Sequence, residues 1–412
     1  AAPFHDWNER INKECYNPNS VSKIVDSRNR ILDVVNNYEY MSFNFGPTLL
    51  SWLEHFAPLT YERIIKADIE SVGEHSGHGN AIAQVYNHII MPLANEEDKR
   101  TQIRWGIRDF EYRFGRKPEG MWLAETAVDD DTLRILKENG IKFTVLSPYQ
   151  ADKFRENKDK EWIDVSWGNI DPARSYRYYI KSAPDKYIDL FFYDGAISRS
   201  VAFDELLTDG NKFIKRLKEG VSDLRDYPQL INIATDGESY GHHTKFGDMA
   251  LAYILKIKAE EEGFKITNYA EYLSEYRSDY EVDIKQASSW SCFHGVGRWQ
   301  DDCGCSTGGH PGWNQKWRRP LRDALDYLRD ELVVIFEKEG SKYFEDVWTV
   351  RNNYIKLILD RSRVNLEHFQ NENFKNGLSD EDKVRAMELL EIQRQTLLMY
   401  TSCGWFFSEI SG

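Results

Sequence analysis

From Met121 to Leu146 the chain changes rhythm twice, and that change limits the folds open to it. Met121–Glu125 is a short apolar strand, Asp129–Asn139 a capped helix stopped by Gly140, and Ile141–Leu146 a second strand. A strand, a helix and a strand in so few residues make a βαβ unit, whose crossover requires parallel neighbours. Ile188–Tyr193 and Leu230–Ala234 add two apolar strands, the second leading through a glycine-containing loop into the helical segment Met249–Lys258. Ile266 starts another strand-like piece ahead of the helical rhythm of Tyr269–Tyr276. Upstream, Val21–Val35 reads as helical, and Tyr38–Phe45 as a strand running through Gly46-Pro47 into a helical Leu49–His55. The pattern is α/β: a parallel sheet covered by helices, open or closed into a barrel.

The rhythm changes for good at Trp317. Leu321, Ala324, Leu325, Leu328, Leu332 and Phe336 recur at helical spacing, and Asp346–Asp360 and Asp382–Tyr400 repeat the pattern. The expected division is therefore a domain over 1–315 and a helical region over 316–412, which packs on the first. Charge then narrows the partners. With 53 basic and 67 acidic residues the net charge is −14, which disfavours nucleic acid and anionic membrane, since both need a basic surface. The apolar runs are short, Leu332–Phe336 being typical, and the opening AAPFHDWNER resembles no signal peptide. Five cysteines are too few for a disulfide scaffold. A cytoplasmic protein is expected. Aromatics make up 14 % of the chain, and flat rings stack on the C–H faces of sugars, which favours a carbohydrate ligand.

Reactive groups in such folds collect at the carboxyl ends of strands. Two strands here end in acids. In Met121-Trp122-Leu123-Ala124-Glu125, alternation puts Met121, Leu123 and Glu125 on one face and Trp122 on the other. Glu125 is then a cleft carboxylate, a helix-start acid or a buried ion-pair partner. Asn232-Ile233-Ala234-Thr235-Asp236-Gly237-Glu238 runs on to His242 and His243, an acid and imidazole cluster with glycines that let a ligand approach, or else a polar turn. Two carboxylates facing each other across a ligand are what glycoside hydrolysis uses.

Two further clusters stand out. Trp290 and Trp299 flank a loop and could form a sugar-stacking platform, while Cys292, His294, Cys303 and Cys305 supply enough donors for zinc. The Cys-x-Cys spacing is not that of a zinc knuckle, so reduced thiols packed under the platform are the preferred reading, with no metal and no cofactor. Gly73–Asn80 carries His75 and His78, whose spacing also suits a metal; hydrogen-bonding histidines are preferred there.

These stretches, in this order, resemble glycoside hydrolase family 57, a family of α-glucan-active enzymes. The resemblance implies an incomplete (β/α)7 barrel with a C-terminal helical region. Trp122-Leu123-Ala124-Glu125-Thr126 is similar to the nucleophile motif and implies that Glu125 is the nucleophile; Thr235-Asp236-Gly237-Glu238 is similar to the acid/base motif and implies that Asp236 is the proton donor. The substrate-lining set it implies is Trp122, Asn80, His88, Asp194, Glu238, His242, Trp290, His294, Trp299 and Trp405, with Asn80 standing where a Glu is common and Trp405 in the aromatic segment that closes the site. The implied activity is retaining hydrolysis or transglycosylation of α-linked glucans. The family's opening His-x-His strand has no counterpart before Met41, where His5 is the one histidine. The expectation is a piece of a longer parent, lacking that strand, with activity belonging to the parent. Two rival readings stand beside this one. A metal-dependent, deacetylase-like hydrolase would use Asp236, His242 and His243, or His75 and His78; a non-catalytic carbohydrate-binding barrel would use none of them as catalysts.

Overall fold

A computed structural model describes residues 2–277, 279–306, 308 and 310–410. Its strands are β1 Ser22–Val25, β2 Ile31–Val35, β3 Ala83–Gln84, β4 Met121–Trp122, β5 Phe143–Leu146, β6 Ala151–Arg155, β7 Ile163–Asp164, β8 Ser175–Ile180, β9 Ala183–Phe192 and β10 Glu281–Ile284. The chain divides into two compact units, each discontinuous in sequence. The first takes the chain up to Ala83, Pro118–Gly120 and Lys142–Ile284; the second takes Gln84–Lys117, Met121–Ile141 and the chain from Lys285 onward.

The first unit holds a six-stranded sheet in the order β5-β9-β8-β10-β6-β7. β5 runs parallel to β9, with Phe143 opposite Asp189, and β10 runs parallel to β8. The β8–β9, β10–β6 and β6–β7 pairs are antiparallel, so the sheet is mixed where the sequence led to a parallel one. β5 is buried along its whole length and β9 from Ile188 to Phe192, the near-continuous apolar run of a strand covered on both faces. A second series of pairings in this unit follows chain order, and its two bridges are parallel. Phe43 bridges Ala81, Ala83 N–H donates to the Gly120 carbonyl, Gly120 bridges Phe143, and Asp194 N–H donates to the Asn232 carbonyl.

Several local expectations change. Residues 22–35 are the antiparallel hairpin β1–β2, not a helix. The Asp26 carboxylate accepts from the backbone N–H groups of Arg28 and Arg30, and this Asx-type turn reverses the chain. Residues 38–45 give a short helical turn, Asn37–Glu39, and one bridge at Phe43 in place of a strand. Residues 230–234 are extended but lack a ladder, and Ile266 starts no strand.

The second unit is mostly helical. Its frame is Glu96–Phe114, capped by Asn95 and closed by left-handed Gly115, with Arg318–Gly340 and Asp380–Leu398. Trp105, Phe336, Tyr354, Phe369 and Leu389, each at most 1 % exposed, share one core. Inside it the Arg351 guanidinium meets Asp98 at 2.9 Å and Gln393 at 3.0 Å. No helix among the described residues is long and apolar enough to cross a membrane.

Candidate active site

In the second unit, β4 buries Met121 and Leu123 as alternation requires, but the strand stops before the acid. Ala124–Thr126 is a tight helical turn in which Glu125 has φ 57° and Thr126 φ 52°. A left-handed backbone is uncommon for any side chain and an outlier for a β-branched one. His88 (φ 55°) and Ala287 (φ 49°) in the same unit share it. Such strained positions persist only where the surrounding contacts over-determine them.

The turn aims the Glu125 carboxylate at a second loop. Its Oε2 accepts from Trp290 Nε1 at 2.8 Å and from Ser291 Oγ at 2.6 Å, while Trp290 N–H donates to the Glu125 carbonyl. Trp122 meets the Trp290 ring edge-on at 5.3 Å. The expected platform joins Trp290 to Trp299, but the ring beside Trp290 is that of Trp122. Trp299 is fully buried beside Ile90, Ala124 and Trp405, too deep to stack on a ligand. Trp405 is buried too: its indole stacks on Trp317 and its Nε1 donates to the Met399 carbonyl. His88 is held through Nδ1 by Ser402 Oγ at 2.9 Å; burial pushes its pKa below 6.5, opposed in part by the charge of Glu125. His294 joins the cysteines instead, its Nδ1 lying 3.5 Å from Cys305 Sγ.

In the first unit, Asp236 is exposed and opens the helical turn Gly237–Tyr240. The neighbouring Glu238 accepts a short hydrogen bond from the Tyr16 hydroxyl, and His242 pairs through Nδ1 with Glu14. Cys15 Sγ donates to the Gly237 carbonyl at 3.2 Å, and burial pushes this thiol up to about 12. Gly241 lets the two segments meet: a Cβ there would lie 2.3 Å from the Glu14 carbonyl oxygen. Burial, with a contribution from the charge of Asp236, raises the Tyr193 phenol. Asp194 caps the helix Gly195–Phe203 by accepting from Ile197 N–H. Asn80 is fully buried, and its amide is engaged by the Tyr38 carbonyl and Asn268, so it serves the core and not a ligand.

Sequence reasoning missed Tyr16, Tyr193, Ser291 and Ser402. Ser291 follows Trp290, Tyr193 precedes Asp194 and Ser402 lies in the segment of Trp405, so each had a singled-out neighbour; Tyr16 had none. The ligand sets of the metal-hydrolase reading do not assemble. His75 is paired with Glu271, His78 with Glu119 and His242 with Glu14. Among the described residues the grouping that fits a metal is Cys292, His294, Cys303 and Cys305.

Comparison with known proteins settles the ancestry. The sequence model of glycosyl hydrolase family 57 matches residues 5–285. The chain belongs to that family. Residues 313–412 of this family 57 protein also match a domain of unknown function, DUF3536. Alpha-amylase 1 of Dictyoglomus thermophilum is 26 % identical over 106 residues, which are 26 % of this chain and 15 % of that enzyme's length. Among solved structures, an exo-type maltose-forming amylase from Pyrococcus sp. ST04 superposes with a TM-score of 0.71 at 18 % identity, covering 99 % of this chain and 68 % of that one. A family 57 branching enzyme from Thermococcus kodakaraensis gives 0.55 at 15 % identity, with 98 % and 95 % covered. These likenesses establish a shared α/β fold with a helical C-terminal region.

Proposed function

We propose that this protein is a retaining glycoside hydrolase or transglycosylase acting on α-linked glucans and oligosaccharides, with Glu125 as nucleophile and Asp236 as acid/base. Family membership supports the reaction class. The amylase and branching activities named for its relatives support an α-glucan substrate. The observation that carries the role of Glu125 is its strained turn, which delivers one carboxylate oxygen to two donors. With Oε2 held by Trp290 and Ser291, Oε1 is the oxygen left for an anomeric carbon. Attack by Oε1 breaks the bond to the leaving oxygen, which takes its proton from Asp236. Oε2 becomes the carbonyl oxygen of the glycosyl ester and still accepts from both donors. Asp236 then removes a proton from water or an acceptor hydroxyl, which attacks the anomeric carbon and frees Glu125.

The same reading takes the pairings that begin at Phe43 and Ala81 as the wall of an incomplete (β/α)7 barrel within 1–315, with 316–412 as the helical region. It also places the protein in the cytoplasm, where thiols as close as Cys292 and Cys305 stay reduced.

The test is incubation of the full-length protein with a panel of α-glucans, following anomeric configuration by NMR. First-formed products should keep the α configuration. Glu125→Ala should abolish turnover, and azide should restore it by taking the vacant place of the carboxylate and giving a β-glycosyl azide. Inverted first products, or full activity in Glu125→Ala, would reject the assignment. A structure with bound oligosaccharide should place the two carboxyl groups about 5–5.5 Å apart.

A further inference from the structure

We propose that Cys292, His294, Cys303 and Cys305 form a closed, tetrahedral Zn²⁺ site that fixes the loop carrying Trp290 and Ser291. The donor atoms of the four residues all lie within 4.8 Å of one another. A tetrahedral zinc centre with Zn–S near 2.3 Å and Zn–N near 2.0–2.1 Å holds its sulfurs about 3.8 Å apart, and sulfur from nitrogen about 3.6 Å. The Cys292–Cys305 separation is 3.7 Å, Cys292–Cys303 is 4.0 Å, and Cys305 Sγ lies 3.5 Å from His294 Nδ1. These spacings fit a shared metal and are far too long for a sulfur–sulfur bond of about 2.05 Å. Three thiolates and an imidazole fill all four positions, so the site is structural and leaves no place for substrate.

The surroundings are built to hold this arrangement. Gly304, at φ 79°, turns the chain between Cys303 and Cys305, and its N–H donates to buried Gln315, whose amide donates in turn to the Cys305 carbonyl. Gly297 admits the close approach of the two loops, since a Cβ there would lie 3.2 Å from Cys303 Cβ. Charge supplies an independent argument. Arg318 is fully buried, and none of its hydrogen bonds goes to a carboxylate. Its guanidinium reaches Cys303 Sγ at 3.9 Å and otherwise meets the carbonyls of Asp301, Phe406 and Phe407. A buried cation needs a counter-charge, and a zinc tristhiolate carries −1. The spacing of the cysteines is unlike that of a zinc knuckle because the two halves of the site come from two separate loops.

The metal ties down the residue next to Ser291, one of the two donors to Glu125. Its binding nonetheless stands apart from the glycosidase reading, because the decisive measurement is metal content. The full-length protein, grown with zinc and dialysed, is expected to retain about one equivalent per chain. Cobalt(II) should replace it and give the visible absorption of a tetrahedral thiolate complex. Cys292→Ser and Cys305→Ser should lose the metal, and Cys403→Ser should keep it. Should the serine variants fail to fold, the zinc content and cobalt spectrum of the unaltered protein decide. Zinc far below one equivalent together with no cobalt spectrum, or a disulfide between any two of Cys292, Cys303 and Cys305 in the purified protein, would overturn the proposal.

Discussion

Glu125 and Thr126 hold conformations that cost about 1–3 kcal/mol each, and the surrounding contacts must over-determine them. Trp290 does this with two bonds, one to the backbone and one to the carboxylate; Ser291 contributes one to the carboxylate alone. Ser291→Ala should therefore leave the fold intact and act on chemistry. Loss of a hydrogen bond to a charged group is worth about 1.5–3 kcal/mol, a fall in kcat/KM of about ten- to a hundredfold. A change of about twofold or less in Tm-matched variants at both Ser291 and Trp290 would show that the carboxylate is positioned by other means. His88 gives a pH signature. Its folded pKa lies below the ordinary 6.5, so the unfolded chain binds more protons in that window. The stability it contributes is whole above about 6.5 and is lost as pH falls toward the depressed folded value. Asn tolerates φ 55°, so His88→Asn should flatten the slope of stability below pH 6.5 in urea titrations. An unchanged slope would assign that proton uptake elsewhere.

At the scale of elements, what the sequence reveals depends on whether local chemistry or distant contacts decide. The helix Asp130–Glu138 was legible because Asp129 caps it and Gly140 follows it. The long C-terminal helices were legible because their apolar positions repeat at helical spacing. The β1–β2 hairpin was not: its apolar residues fit either period, and the Asp26 turn that decides between them was passed over. Leu230–Ala234 looked like a strand, yet its backbone bonds go to Ala173 and Asp194 outside any ladder. The two acids read as strand-end carboxylates in the sequence, but β4 stops at Trp122 and no strand leads into Asp236, because short turns decided by distant contacts carry both. Tyr16 was not legible, since 222 residues separate it from Glu238 and nothing near it signals the encounter. Gly241 shows how tight that encounter is. Gly241→Ala would drive a Cβ into the Glu14 carbonyl, and overpacking of this kind costs about 1–3 kcal/mol. Chemical denaturation should show that loss; a neutral substitution would mean that the segment carrying Cys15 and Tyr16 can move away.

For the whole molecule, the two units are each assembled from three stretches of chain, so the polypeptide passes between them five times (3 + 3 − 1). A cut near residue 315 looks natural in the sequence, where the rhythm turns helical, but it divides the second unit. The helix Glu96–Phe114 lies before the cut, and what covers it lies after. Trp105 is fully buried with Phe336, Tyr354 and Leu389, and its Nε1 donates to the carbonyls of Arg351 and Asn352. Asp98, only 3 % exposed, has Arg351 as its counter-ion. Removing one partner of a buried pair costs about 3–5 kcal/mol, and truncating a buried large side chain costs about as much. Losing the pair and one such side chain together costs about 6–10 kcal/mol, comparable to the whole stability of a typical domain, about 5–15 kcal/mol. Residues 1–315 expressed alone should therefore lack a fixed tertiary structure in this region, with Trp105 solvent-exposed and the apolar face of its helix binding a dye such as ANS. Asp98→Asn in the full-length protein, which keeps the shape and removes the charge, should lower stability without exposing that face. A 1–315 fragment that unfolds cooperatively, with Trp105 still shielded from quencher, would mean that the helical region covers a unit already able to stand without it.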